Sequence, residues 1–178
     1  MSIASSIAAV LPLPGWAYVP GETADTEPDH RALWQAKALL PSQFFGFVPA
    51  RHPALRYGVA LNDAGYFWEA QEVLEAVWAA APQGGRERIL LRALIQVANA
   101  NLKLRTQKLR AAARHFGEAL AEVEPLLKRT ATGRGGFADS FPLRALAARL
   151  EDKLAQASLS EADYRGEFEV PIRIAASS

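Results

Sequence analysis

The chain has 178 residues, of which half are hydrophobic and 22% are charged, a balance typical of a folded globular protein and not of a disordered one. Cysteine is absent, which excludes a disulfide framework, a thiolate metal site and a cysteine nucleophile. The formal net charge is +1, so the molecule as a whole is not a polycation.

The first 52 residues are predicted to form an irregular arm packed on the core. Their start lacks the basic residues and the unbroken apolar run of a secretory signal, and no window is long enough to span a membrane, so a cytoplasmic protein is predicted. Residues 11–28 are rich in proline and cannot form a helix. Asp29 can cap a short helix over residues 30–40, with Leu33 and Trp34 on its packed face. The four tryptophans of the chain are expected to be core anchors.

From Pro53 onward, apolar residues recur at helical spacing, and turn signals rich in glycine separate the periods. The pattern predicts an all-α bundle of about five helices over residues 53–157, with a central antiparallel helix pair. A C-terminal tail over residues 158–178 is expected to be either docked or frayed. The predicted helices cover residues 53–63, 66–81, 86–105, 108–128 and 142–157, and Pro125 would kink the fourth or end it early.

A polar seam is predicted between the helices over residues 66–81 and 86–105. At about 100° per residue, Gln71 falls inside the apolar stripe of the first helix and Glu75 falls on its edge, whereas Glu69 lies on the far side and is expected to be solvated. Because a short loop makes the two helices antiparallel neighbours, Glu75 should face Arg92. An Arg92→Leu substitution should then strongly lower the melting temperature. The candidate seam or pocket comprises Trp68, Gln71, Glu72, Glu75, Arg92, Gln96 and Asn99.

Basic residues are concentrated between Glu87 and Glu118, where the chain has no acid. This distribution fits two neighbouring helices with complementary charged faces, and it also fits an anion-binding surface. The candidate anion-binding residues are Lys103, Arg105, Lys108, Arg110 and Arg114. They lack aromatic interleaving and a recognised motif, so nucleic acid is not the expected ligand.

Two stretches, YGVALNDAGYFWEAQEVLEAVWAAAP and RERILLRALIQVANANLKL, resemble the bacterial and archaeal family catalogued as domain of unknown function 309. The resemblance implies a small all-α bundle and brings no known reaction. Gln71 stands where the family pattern has histidine, and Ala93 stands where it has glycine. Glutamine neither titrates nor usually binds transition metals, which weakens any reading of this helix as catalytic. The matching positions are Asn62, Gly65, Glu69, Glu72, Glu75, Trp78 and Gln96.

Three functions remain open from the sequence. The preferred one is a non-catalytic structural or protein-interaction module, which forms a homo-oligomer or binds a protein partner. The second is a hydrolase or isomerase that uses Glu72 or Glu75 as a general base in a pocket between the arm and the central helix pair. The third is anion or nucleic-acid binding through the basic segment. No cofactor or metal is expected, because the three histidines are scattered along the chain.

Overall fold

The structure, a computed structural model, describes residues 11–22, 29–158 and 168–175, and within them it has seven helices and no strand. The predicted all-α fold is therefore confirmed. Parts of the predicted arm and tail, including the start judged not to be a secretory signal, lie outside the described residues. The helices are α1 Arg31–Ala38, α2 Pro53–Asp63, α3 Phe67–Ala80, α4 Arg86–Arg105, α5 Leu109–Leu127, α6 Phe137–Ser140 and α7 Leu143–Ser158.

The ends of the helices follow from local chemistry. Pro53 occupies the first turn of α2, where its missing N–H is no loss, and the Nδ1 atom of His52 accepts the N–H of Ala54 at 3.3 Å. The turn after α2 needs a positive φ of 92°, which Gly65 supplies. Pro125 lies inside α5, which continues to Leu127, so of the two alternatives the early stop is excluded and the predicted range of 108–128 is close to the observed one.

Helix α4 lies at the centre of the bundle. It packs against α3 and α5, while α2 covers α3 and α7 covers α5. Buried residues therefore surround most of its circumference instead of forming one stripe. Close approach of α2 to α3 depends on Gly58, because a Cβ atom there would lie 2.9 Å from the side chain of Leu74. The interior of the domain is thus built from α2 to α5, with α7 closing one side.

Residues 11–22, called the strap here, are tied to the bundle at three points. The hydroxyl of Tyr57 donates to the carbonyl of Pro12 at 2.8 Å. The N–H of Tyr18 donates to the carboxylate of Glu69 at 2.6 Å. Near the far end of the strap, the carboxylate of Glu22 lies 3.2 Å from the guanidinium of Arg105. The strap is therefore a packed part of the fold.

Two of the four tryptophans are not the core anchors that the sequence predicts. Trp34 is 67% exposed, because α1 packs through Leu33 and its small alanines instead. Trp16 in the strap is 38% exposed. Trp68 and Trp78 are partly buried and pack against the core, as expected.

Residues 168–175 dock on the bundle through polar side chains. Asn101 donates to the carbonyl of Ile172 and accepts its N–H, both at 2.9 Å. Asn62 donates to the same carbonyl at 3.1 Å and accepts from Asn101 at 2.9 Å. The side-chain amides of Asn62 and Asn101 thus provide the hydrogen bonds that the N–H and the carbonyl of Ile172 need, as a neighbouring strand would in a sheet. The adjacent N–H groups of Ile174 and Ala175 donate to Asp63 at 2.6 and 2.9 Å.

Candidate functional site

The structure does not join the predicted seam residues into one network. Gln71 donates to Glu75 at 3.0 Å within α3, near the surface. Arg92 pairs with Glu122 of α5 instead of Glu75, with Nε and Oε1 2.7 Å apart. The predicted Glu75–Arg92 pair is therefore wrong. Its physical reason is the central position of α4, because Arg92 lies on the side of α4 that α5 covers.

The remaining polar residues of α4 also serve other neighbours. Gln96 lies 2.7 Å from the Nδ1 atom of His115 on α5, and burial lowers the pKa of that imidazole. Asn99 is partly buried and makes no side-chain hydrogen bond within the described residues. The polar link between α4 and α3 is formed by Arg88. Its guanidinium lies 4.0 Å from the ring centre of Trp78 and donates to carbonyls at the end of α3.

The geometry revises the expected effect of replacing Arg92. Its ion pair with Glu122 is solvent-exposed, and exposed pairs contribute less than about 1 kcal/mol. We now expect Arg92→Leu to change the free energy of unfolding, measured by urea titration, by less than about 1 kcal/mol. A loss of several kcal/mol of unfolding free energy would show that the pair stabilises the core through an effect that its observed contacts do not explain.

Glu72, one of the two proposed general bases, is an ion-pair partner of the arm. Its Oε2 atom lies 2.9 Å from the Nζ atom of Lys37 on α1, and both side chains are about one-third exposed. Glu75, the other candidate base, is exposed. Neither carboxylate has the enclosed surroundings that acid–base catalysis in a pocket requires.

Glu69 is the acid that the fold buries. Its exposed fraction is 0%, so the expectation that it would be solvated is wrong. The strap crosses the face of α3 that helical periodicity assigns to solvent, and Tyr18 donates its backbone N–H to one carboxylate oxygen. The other oxygen, Oε2, is buried without a hydrogen-bond partner in the described part of the chain. An unpartnered buried carboxylate oxygen is energetically costly, which makes this position a candidate site.

Aromatic residues lie close to Glu69: Tyr18 donates its N–H to the carboxylate, and His30 and Tyr57 are near enough to interact with its charge. Trp68 contacts the Tyr18 ring edge-on at 4.9 Å and stacks on the His30 ring at 5.1 Å. The Nε2 atom of His30 is also buried and has no partner among the described residues. Tyr18, His30, Tyr57, Trp68 and Glu69 are called the Glu69 site below.

Burial controls the electrostatics of this site. It raises the pKa of Glu69, against the lowering effects of the Tyr18 N–H and of the charge on His30. Burial also raises the pKa of Tyr57 to about 12, with a smaller contribution from the negative charge of Glu69. The site therefore holds a carboxyl group that keeps its proton more readily than a solvated one, next to an imidazole.

The basic segment is partly neutralised. Arg105 pairs with Glu22 of the strap, and Arg114 lies 3.7 Å from Glu118 one turn along α5. Lys103 lies close enough to His115 for its charge to lower the pKa of that imidazole. Lys108 and Arg110 are exposed at the start of α5. Two of the five bases therefore have carboxylates as close neighbours.

Sequence reasoning missed His30 and Tyr18 as neighbours of Glu69, and it missed Asn62 and Asn101 as docking residues. Asn101 lies one helical turn from Val97, Ala98 and Leu104, on an apolar face of α4, and this is the signal that could have revealed it. A buried amide in such a position needs a specific partner. No comparable signal marks the strap as the cover of Glu69.

Residues 55–115 match the family model described as Domain of unknown function (DUF309), which confirms the predicted resemblance. The match runs from α2 into α5 and includes Glu69, Asn62 and Asn101, but not the strap or residues 168–175. No curated protein and no solved structure matches the chain. Within the described residues, no helix combines the length and the hydropathy that crossing a membrane requires.

Proposed function

We propose that this protein works in the cytoplasm as a non-catalytic interaction module that binds a protein surface through its arm. The observation that carries the proposal is the distribution of apolar side chains in solvent. Among the described residues, five of the six exposed large hydrophobic side chains lie between positions 13 and 45. Exposed apolar groups that form one patch mark interaction surfaces, and we propose that these five side chains form such a patch.

Two of these side chains have the largest exposed fractions of the six. Phe45 is 101% exposed and Trp34 is 67% exposed. Large aromatic residues supply much of the binding energy in protein interfaces, because their rings bury a large area at low entropic cost. The adjacent Phe44 is buried against His52, so the segment that presents Phe45 is anchored. The arm thus displays aromatic rings on a fixed support.

The acids of α3 support the same proposal. Glu69 accepts the backbone of the strap, Glu72 pairs with Lys37 of α1, and Glu75 accepts from Gln71. Two of the three therefore hold the arm on the bundle. A partner would meet a preorganised surface, which reduces the entropy lost on binding.

The first surface to test is a second copy of the chain, since symmetric dimers are the commonest assemblies. Light scattering coupled to size exclusion should find the wild type as a dimer or larger, and a Trp34→Ser/Phe45→Ser variant as a monomer. Val170→Ser is the matched control, because Val170 is exposed at 58% and lies outside the arm. A wild type that stays monomeric at all concentrations would count against self-association through the arm.

The second candidate function is that of a hydrolase or isomerase, in which Glu69 would be the catalytic carboxylate in place of Glu72 or Glu75. The raised pKa of Glu69 and the unpartnered Nε2 of His30 favour it. Turnover of a panel of chromogenic esters should then be lost in Glu69→Gln and kept in Glu72→Gln. Absence of turnover, or equal turnover in the two variants, would exclude ester hydrolysis through Glu69.

A further inference from the structure

A groove of about 600 Å³ lies on the side of the bundle formed by α2, α6 and residues 168–175. Its volume falls within the range of about 300–1,000 Å³ that small-molecule sites occupy. It is separate from the Glu69 site, none of whose five residues lines it. Nothing in the proposed interaction function uses it.

The groove has an apolar interior. Val59 and Ala60 of α2 line one wall, and Phe137 and Phe141 line another. The two phenyl rings contact each other edge to face at 5.3 Å, and Phe137 is buried, so this wall is held in place by the core. An apolar body placed here would lose contact with water without moving the fold.

More positively charged than negatively charged side chains line the groove. Arg56 and Arg173 both line it, both are exposed, and neither has an acidic partner among the described residues. The carboxylate of Asp63 also lines the groove, but it accepts the N–H groups of Ile174 and Ala175 and lies near the charge of Arg149. Two guanidinium groups thus remain available at the edge of an apolar surface.

We propose that this groove binds a small amphipathic anion, with its apolar body against Val59, Ala60 and the phenyl wall and its head group on Arg56 and Arg173. Guanidinium groups form paired, charge-assisted hydrogen bonds with carboxylate and phosphate oxygens alike. The shared chemistry is therefore an anionic head on an aliphatic or aromatic body. Apolar contact provides the affinity, and the arginines select the sign of the charge.

The test compares four probes with the same chain length: octanoate, octyl phosphate, octanol and octyltrimethylammonium. Titration followed by two-dimensional NMR should show saturable shifts for the anions, confined to α2, α6 and residues 168–175. Whether octanoate or octyl phosphate binds more tightly identifies the head group. Equal binding of the anionic and cationic probes, or no saturable binding of either anion, overturns the proposal.

Two sets of variants separate the contributions. Arg56→Gln and Arg173→Gln should each weaken the binding of the anionic probes by about tenfold while leaving the binding of octanol unchanged. Ala60→Phe should block every probe by filling the groove. Ala79→Phe is its matched control, an exposed alanine on α3 away from the groove, and should bind as the wild type does. All four positions are exposed, so retained helicity and melting temperature are expected, and unimpaired binding by Ala60→Phe would overturn the proposed location.

Discussion

An Asn101→Ala variant is expected to lose about 2–4 kcal/mol of unfolding free energy, corresponding to a fall in melting temperature of roughly 4–16 °C. Asn101 is fully buried and makes three hydrogen bonds, two with the backbone of Ile172 and one with Asn62. Alanine would leave the N–H of Ile172 without its partner. Unpaired buried backbone groups cost about as much as lost hydrogen bonds, so the loss is not restored by local repacking.

Thermal unfolding followed by circular dichroism measures this effect, and hydrogen exchange locates it. The amides of Ile172 and Ile174 should lose protection in Asn101→Ala before those of α4 do. Asn99→Ala is the matched control on the same helix, because Asn99 makes no side-chain hydrogen bond within the described residues. Equal destabilisation by the two substitutions would contradict the docking role of Asn101.

A Glu69→Gln variant is expected to be more stable than the wild type at neutral pH, by about 1–3 kcal/mol. The folded-state pKa of Glu69 is raised above its ordinary value of 4.5, chiefly by burial. A raised pKa means that the proton binds the folded state more tightly, so this group stabilises the fold below pH 4.5 and that contribution is lost as pH rises through the folded pKa. Glutamine is neutral throughout and can still accept the N–H of Tyr18.

The difference in unfolding free energy between Glu69→Gln and the wild type should therefore be small in acid and should grow as pH rises above 4.5. Urea titrations across this range measure it. His30 and Tyr57 both interact electrostatically with this carboxylate, so His30→Asn and Tyr57→Phe backgrounds would test their effect on the profile. Glu75→Gln is the exposed control on α3 and should leave the pH profile unchanged. A Glu69→Gln profile that parallels the wild type at every pH would contradict the argument.

Helix positions could be predicted because the signals that set them are local. Pro53, the turn ending in Gly65 and the glycines before Arg86 act within a few residues, and α2 and α4 begin and end where the sequence places them. The four-residue α6 was missed, because one helical turn is too short to show a period.

The surroundings of the helices could not be predicted in the same way. Periodicity assumes one buried face and one solvated face, but the strap covers a second face of α3 and residues 168–175 cover part of α4. Both covering segments lack a period, so nothing in the sequence states where they dock. For this reason Glu69 was wrongly expected to be solvated, and the docking role of Asn101 was missed. The predicted Glu75–Arg92 pair was wrong for a related reason. An antiparallel hairpin defines the neighbours on one side of α4, but it does not show that α5 occupies the other side.

The docking of residues 168–175 also has a consequence for synthesis on the ribosome. The hydrogen bond between Asn62 and Ile172 joins positions 110 residues apart, so α2 to α5 are translated well before their partner exists. Until then, the amides of Asn62 and Asn101 lack their hydrogen-bond partner Ile172. Contacts this distant in sequence form late and leave apolar surface open to aggregation in the meantime. A nascent chain arrested before residue 168 should therefore resist proteases less well than the released protein.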